Sequence, residues 1–121
     1  MMNVPQIPGF QTLRQDRAPR PTGCPHAHGC GDVDVSETPI TVFRFRAPMA
    51  TAIKSPVIFC GEIIGTAHAE AWKNGVRGGN VSLESGPNKW DKTLDLAAYD
   101  LIELRLYGTG TVRDLWILFT T

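Results

Sequence analysis

"LIELRLYGTGTVRDLWILF", residues 101–119, alternates apolar and polar side chains on both sides of a glycine-rich break. Ile102, Leu104 and Leu106 fall on one face, against Glu103, Arg105 and Tyr107 on the other. After Gly108 and Gly110, Leu115, Ile117 and Phe119 again share a face. A period of two is the signature of a half-buried strand, and two such runs around a short glycine turn predict two consecutive strands.

The same signature recurs upstream. "ITVFRFRAP", residues 40–48, places Thr41, Phe43 and Phe45 opposite Val42, Arg44 and Arg46, and Pro48 ends the strand. "SPVIFCGEIIG", 55–65, is a dense β-branched and aromatic run closed by glycine. "TAHAEAWKNGV", 66–76, sets Ala67, Ala69 and Ala71 against His68, Glu70 and Trp72. Its Asn74-Gly75 pair is a strong hairpin signal. "GGNVSLESG", 78–86, supplies a short strand around Val81 and Leu83. "DKTLDLAAYDL", 91–101, reads as a loop with at most one helical turn. Strands at intervals of roughly 8 to 12 residues predict an all-β fold, an antiparallel sandwich of the jelly-roll kind with about eight strands.

Residues 1–38 differ. They hold five of the nine prolines and, in Phe10, one of the ten aromatic residues. Proline removes backbone donors and fixes φ, so neither a long helix nor a central strand fits. The segment predicts an extended Pro/Gly-rich arm, followed by a sandwich over 39–121. Ile7, Phe10 and Leu13 could anchor such an arm on a partner. Arg14, Arg17 and Arg20 recur every third residue and would line one side of a polyproline II segment. A solvated linker fits the same composition.

Twelve basic and twelve acidic residues give a formal net charge of zero. Bulk charge therefore offers no basis for binding nucleic acid or a membrane surface. No apolar run reaches the ~18 residues of a membrane helix, and the first ten residues lack a signal-peptide pattern. Synthesis in the cytoplasm is expected.

"CPHAHGC", residues 24–30, holds two of the three cysteines and two of the three histidines. Cys24, His26, His28 and Cys30 are zinc- or iron-type ligands. Cys24 and Cys30 could instead close a disulfide, or the stretch could be a glycine-rich turn with free thiols. Cys60, after Phe59, reads as a buried small hydrophobe. No Gly-x-Ser-x-Gly or phosphate-binding loop is present. His68 with Glu70, and Asp95 with Asp100, are the only acid/base pairs the pattern suggests. Both read more simply as a polar strand face and as turn-forming carboxylates. The chain is expected not to be an enzyme and to need no cofactor.

Three segments carry a family resemblance: "FRFRAPMATAI" at 43–53, "GTAHAEAWKNGV" at 65–76 and "AAYDLIELRLYGTGTVRDLWILF" at 97–119. In order and spacing they resemble the small jelly-roll domain of tailed-bacteriophage structural proteins, found in tail fibres, baseplate appendages and capsid spikes. The likeness covers residues 43–121 and departs from the family pattern between Cys60 and Gly65, where a loop looks shortened. It implies a virion component, a capsid decoration or head-spike-base protein, that forms a homo-oligomer such as a trimer. Its partners would be other virion proteins. It also implies a symmetric use for His26 and His28, as a metal site on a trimer axis. The alternative is a tail, collar or fibre component that binds a receptor or host surface glycan. Trp72, Trp90, Tyr107 and Trp116 are the candidate residues, either for stacking sugars or for packing between subunits.

Overall fold

The computed structural model describes residues 24–121. Their strands are β1 (Pro25–Asp34), β2 (Ile40–Arg46), β3 (Thr51–Ile64), β4 (Ala67–Lys73), β5 (Val76–Ser82), β6 (Gly86–Lys89), β7 (Leu94–Leu96), β8 (Leu101–Gly108) and β9 (Thr111–Thr120). One sheet runs β1-β9-β3-β6, with β7 paired to the leading part of β3; the other runs β2-β8-β4-β5. All pairings are antiparallel. The partnering of β1 with β9, β2 with β8, β3 with β6 and β4 with β5 is a long hairpin rolled across two sheets. That is the jelly roll, and it buries one face of each sheet.

The two strands of the opening stretch supply the centre of the core. Ile102, Leu104 and Leu106 face Leu115, Ile117 and Phe119 across the sandwich, and all six are buried. Ala67, Ala69 and Ala71 are also buried, whereas His68 and Trp72 remain half-exposed on the outer side. Asn74 (φ 52°) and Gly75 (φ 82°) both take left-handed backbone, the requirement of a two-residue hairpin turn whose twist matches its strands.

Four expectations are corrected. The boundary at residue 38 falls too late, because β1 lies before it and pairs with β9 from Pro25↔Thr120 to Asp34↔Thr111. As an edge strand of polar and glycine residues, β1 lacks the apolar alternation that marks its neighbours. Thr41 does not share the face of Phe43. It pairs with Arg105 on the outer side, and a bulge at Val42 restores Phe43 to the core opposite Leu104. Residues 60–64 are not a loop but the end of β3, paired with β9 from Cys60↔Leu115 to Ile64↔Thr111. Leu94–Leu96, expected within a loop, is the short strand β7.

Two turns that carry the chain between the sheets pack backbone against backbone. Thr109 N donates to Thr66 O at 3.0 Å, and the hydroxyls of Thr66 and Thr109 lie 2.7 Å apart. Gly65 and Gly110 face each other there, and a Cβ on Gly110 would sit 1.6 Å from the carbonyl oxygen of Ile64. At the other end Asp100 is the clip. Its carboxylate accepts from Asn74 Nδ2 at 3.0 Å and from Ala97 N at 2.8 Å, which holds it below the ordinary aspartate range. The β4–β5 hairpin is thereby tied to the β7–β8 turn.

Candidate functional site

The stretch 24–30 is extended backbone rather than a ring of ligands. Six strand steps set Cys24 and Cys30 roughly 20 Å apart, whereas a disulfide needs Cα atoms about 5.5–6 Å apart. The pairing Cys24–Cys30 within one chain is therefore excluded, and all three cysteines are free thiols. The same geometry prevents the four side chains from converging on one ion. Among the described residues no cluster of three or more His, Cys, Asp and Glu is arranged to hold a metal. The imidazoles instead complete an aromatic layer at the seam between β1 and β2. His26 stacks on Phe119 at 4.7 Å and lies 3.2 Å from Thr121 Oγ1; His28 meets Phe43 edge-on at 4.9 Å. Cys30 Sγ points to Val42 O at 3.5 Å, and burial pushes its thiol pKa up. Cys60 is fully buried, with its pKa pushed up to about 11. Ile7, Phe10, Leu13, Arg14, Arg17 and Arg20 lie outside the described residues.

The four candidate aromatics do not form one site. Trp72 and Tyr107 lie on the outer face of the β2-β8-β4-β5 sheet. The Trp72 indole donates to Glu70 Oε1 at 2.9 Å, and the Arg105 guanidinium sits 4.1 Å from the Trp72 ring. Tyr107 stacks on His68 at 5.1 Å. Glu70 is buried beneath this layer with Arg77 3.6 Å away, and Arg44 and Arg105 flank Glu103. His68 bonds to Ser82 Oγ at 3.1 Å rather than to Glu70, so the pair is not an acid/base couple. Asp95 contributes its backbone carbonyl, not its carboxylate, to Lys73, while Asp100 serves its turn. Trp116 lies on the opposite outer face. Its ring covers Gly29, where a Cβ would come within 3.1 Å, and its indole donates to Asp114.

Trp90 stands apart. It enters the open edge of the sandwich between β5 of one sheet and the β6–β7 connection of the other, with its backbone N–H held by Pro56 O at 2.9 Å. Pro56, Ala71, Trp90, Leu94 and Ile102 wall an apolar cleft of about 190 Å³. The same five residues border a smaller void of about 40 Å³ that reaches Phe119 in the core. Two bulges flank the cleft. On β3, Ser55 (φ 49°) and Pro56 interrupt the register with β9. On β5, Gly78 and Gly79 together oppose Ala71 of β4. Bulges re-aim chains beside functional sites, and glycine in a strand marks close approach by a ligand or another backbone. Lys73 and Lys92 stand at the rim. The pairing of Trp90 with these lysines escapes a reading of the sequence, because the cleft's walls come from five separate segments; the Gly78-Gly79 pair inside a strand is the available signal.

At the end clipped by Asp100, three exposed side chains stand on or beside the β2–β3, β4–β5 and β7–β8 turns. Met49 is 66% exposed, Val76 69% and Tyr99 70%. Tyr99 N donates to Ala47 O, and Arg46 donates to Tyr99 O at 2.9 Å. Tyr99 has φ 70°, a strained setting for a side chain of its size.

No protein-family model matches the sequence, and no curated protein matches it. Among solved structures, the crystal structure of dimeric latent PorU from Porphyromonas gingivalis is similar over 82% of this chain, at 9% sequence identity and a TM-score of 0.44. The chain spans 12% of that protein's length.

Proposed function

We propose that this chain is a non-enzymatic structural protein of a tailed-bacteriophage virion, of the capsid-decoration or head-spike-base type. Copies of the jelly roll associate with one another. The proline- and arginine-rich residues before β1 run onto neighbouring virion proteins. The observation that carries this reading is the exposure of Met49, Val76 and Tyr99 at or beside three turns at one end of the sandwich. Apolar side chains left exposed at one end of a fold support a protein–protein contact. A strained aromatic at a turn tip supports it further, since such strain persists where a function uses it.

Tyr99→Gly separates association from folding. Glycine takes φ 70° without strain, so the variant is expected to be at least as stable as the parent. Light scattering of the full chain at about 100 μM is expected to show a homo-oligomer that Tyr99→Gly weakens by at least about tenfold in Kd. A monomeric parent, or unchanged association in the variant, would contradict the reading. The alternative of a receptor-binding tail, collar or fibre component is favoured by one observation, the Trp90 cleft.

A further inference from the structure

We propose that the Trp90 cleft is a binding site for a small aromatic ring bearing a carboxylate, with the ring between Trp90 and Ala71 and the carboxylate at Lys92. This goes beyond the proposed structural role and does not depend on the chain's place in a particle.

Size sets the ring. A dry cavity of ~150 Å³ accepts benzene, and this cleft encloses about 190 Å³. Its walls set the polarity. Pro56, Ala71, Leu94 and Ile102 present no side-chain donors or acceptors. A sugar ring placed there would surrender its water-bound hydroxyls without replacement partners, which is costly. A flat hydrocarbon ring would lose nothing and would lie against the indole.

The rim sets the charge. A methyl group built on Gly79 would lie 3.4 Å from Lys92 Nζ and 3.7 Å from Trp90 Cζ2, so the ammonium hangs over the mouth beside the indole. Among the described residues no carboxylate pairs with Lys92. Lys73, the second rim cation, is already held by Asp95 O at 3.1 Å and Asp100 at 3.7 Å. Lys92 is therefore the cation left to meet an anion. The side chains missing from Gly78 and Gly79 leave the entrance open. The chain's own Phe10 is a poor occupant, because Arg14 and Arg17 would accompany it to a rim that is already positive.

The probe is phenylacetate, titrated into the full chain while the indole N–H resonances are followed by NMR. Saturable binding with a Kd of about 1 mM or tighter is expected, read most strongly at Trp90. Phenylacetamide, the same ring without the charge, is expected to bind about tenfold more weakly, and Lys92→Gln to weaken phenylacetate by a similar factor. Glucuronate, the same charge on a sugar, is expected not to bind. Ala71→Leu fills the cleft and is expected to abolish binding; should it not fold, Gly79→Val blocks the mouth from a position whose nearest neighbour is the flexible end of Lys92. No saturable binding of phenylacetate up to about 10 mM would overturn the proposal. So would equal affinity for phenylacetamide, tighter binding of glucuronate, or binding that survives the filled cleft.

Discussion

Gly110→Ala is expected to destabilise the fold by about 3–5 kcal/mol, well beyond the usual cost of a single substitution. The added carbon would lie 1.6 Å from Ile64 O and 2.7 Å from Ile64 C. Both are main-chain atoms in the β3–β9 ladder, where Ile64 pairs with Thr111. No rotamer change can relieve the overlap, so the β8–β9 turn must move away from the β3–β4 turn. That movement would also disturb Val35 N, which donates to Gly110 O at 2.9 Å, and the Thr66–Thr109 contacts. Gly31→Ala is the control. It has φ +72° but no atom within 4 Å of the added carbon, so its expected cost is only the left-handed strain of about 1–2 kcal/mol. Urea unfolding of the three proteins checks the ordering. Equal destabilisation by the two substitutions would show that the turns do not cross as described.

Leu106→Ala is expected to cost about 3–4 kcal/mol, within the range for truncating a buried leucine and leaving a cavity. Leu106 has no exposed surface. It sits on β8 between Ile40 of β2 and Ala69 of β4, with small Ala69 unable to fill the gap. A drop in Tm of about 10–15 °C should accompany it, given the usual entropy of unfolding at this size. Calorimetry provides the check. A loss below about 1 kcal/mol would mean that the two sheets do not close over this residue.

The sandwich is legible in the sequence where one face of a strand is buried and the other is wet. Ile102, Leu104 and Leu106 declare themselves by a period of two, and Asn74-Gly75 declares a turn by its backbone demands. Three parts are hidden for separate physical reasons. β1 is an edge strand whose inward side chains include two histidines, so the rule linking apolar alternation to strands passes it over. The bulge at Val42 shifts the count by one, and no local residue announces it; unbroken alternation therefore puts Thr41 on the wrong face. The cleft at Trp90 depends on which strands become neighbours, and neighbours in a jelly roll are far apart in sequence. The Cys/His stretch misleads for a simple reason. Its residue types suit a metal and their alternation puts them on one face, but an extended backbone spreads them along the strand instead of gathering them around one point.

The central claim is that residues 25–34 form a strand of the sandwich, capping its aromatic core, rather than the end of a separate arm. Nuclear Overhauser contacts across the β1–β9 pair test it most directly. Backbone contacts are expected between His28 and Ile117 and between Ala27 and Leu118, with ring-to-ring contacts from His26 to Phe119. A spectrum that shows β9 in place between folded neighbours, yet lacks every contact from residues 25–34 to it, would contradict the account.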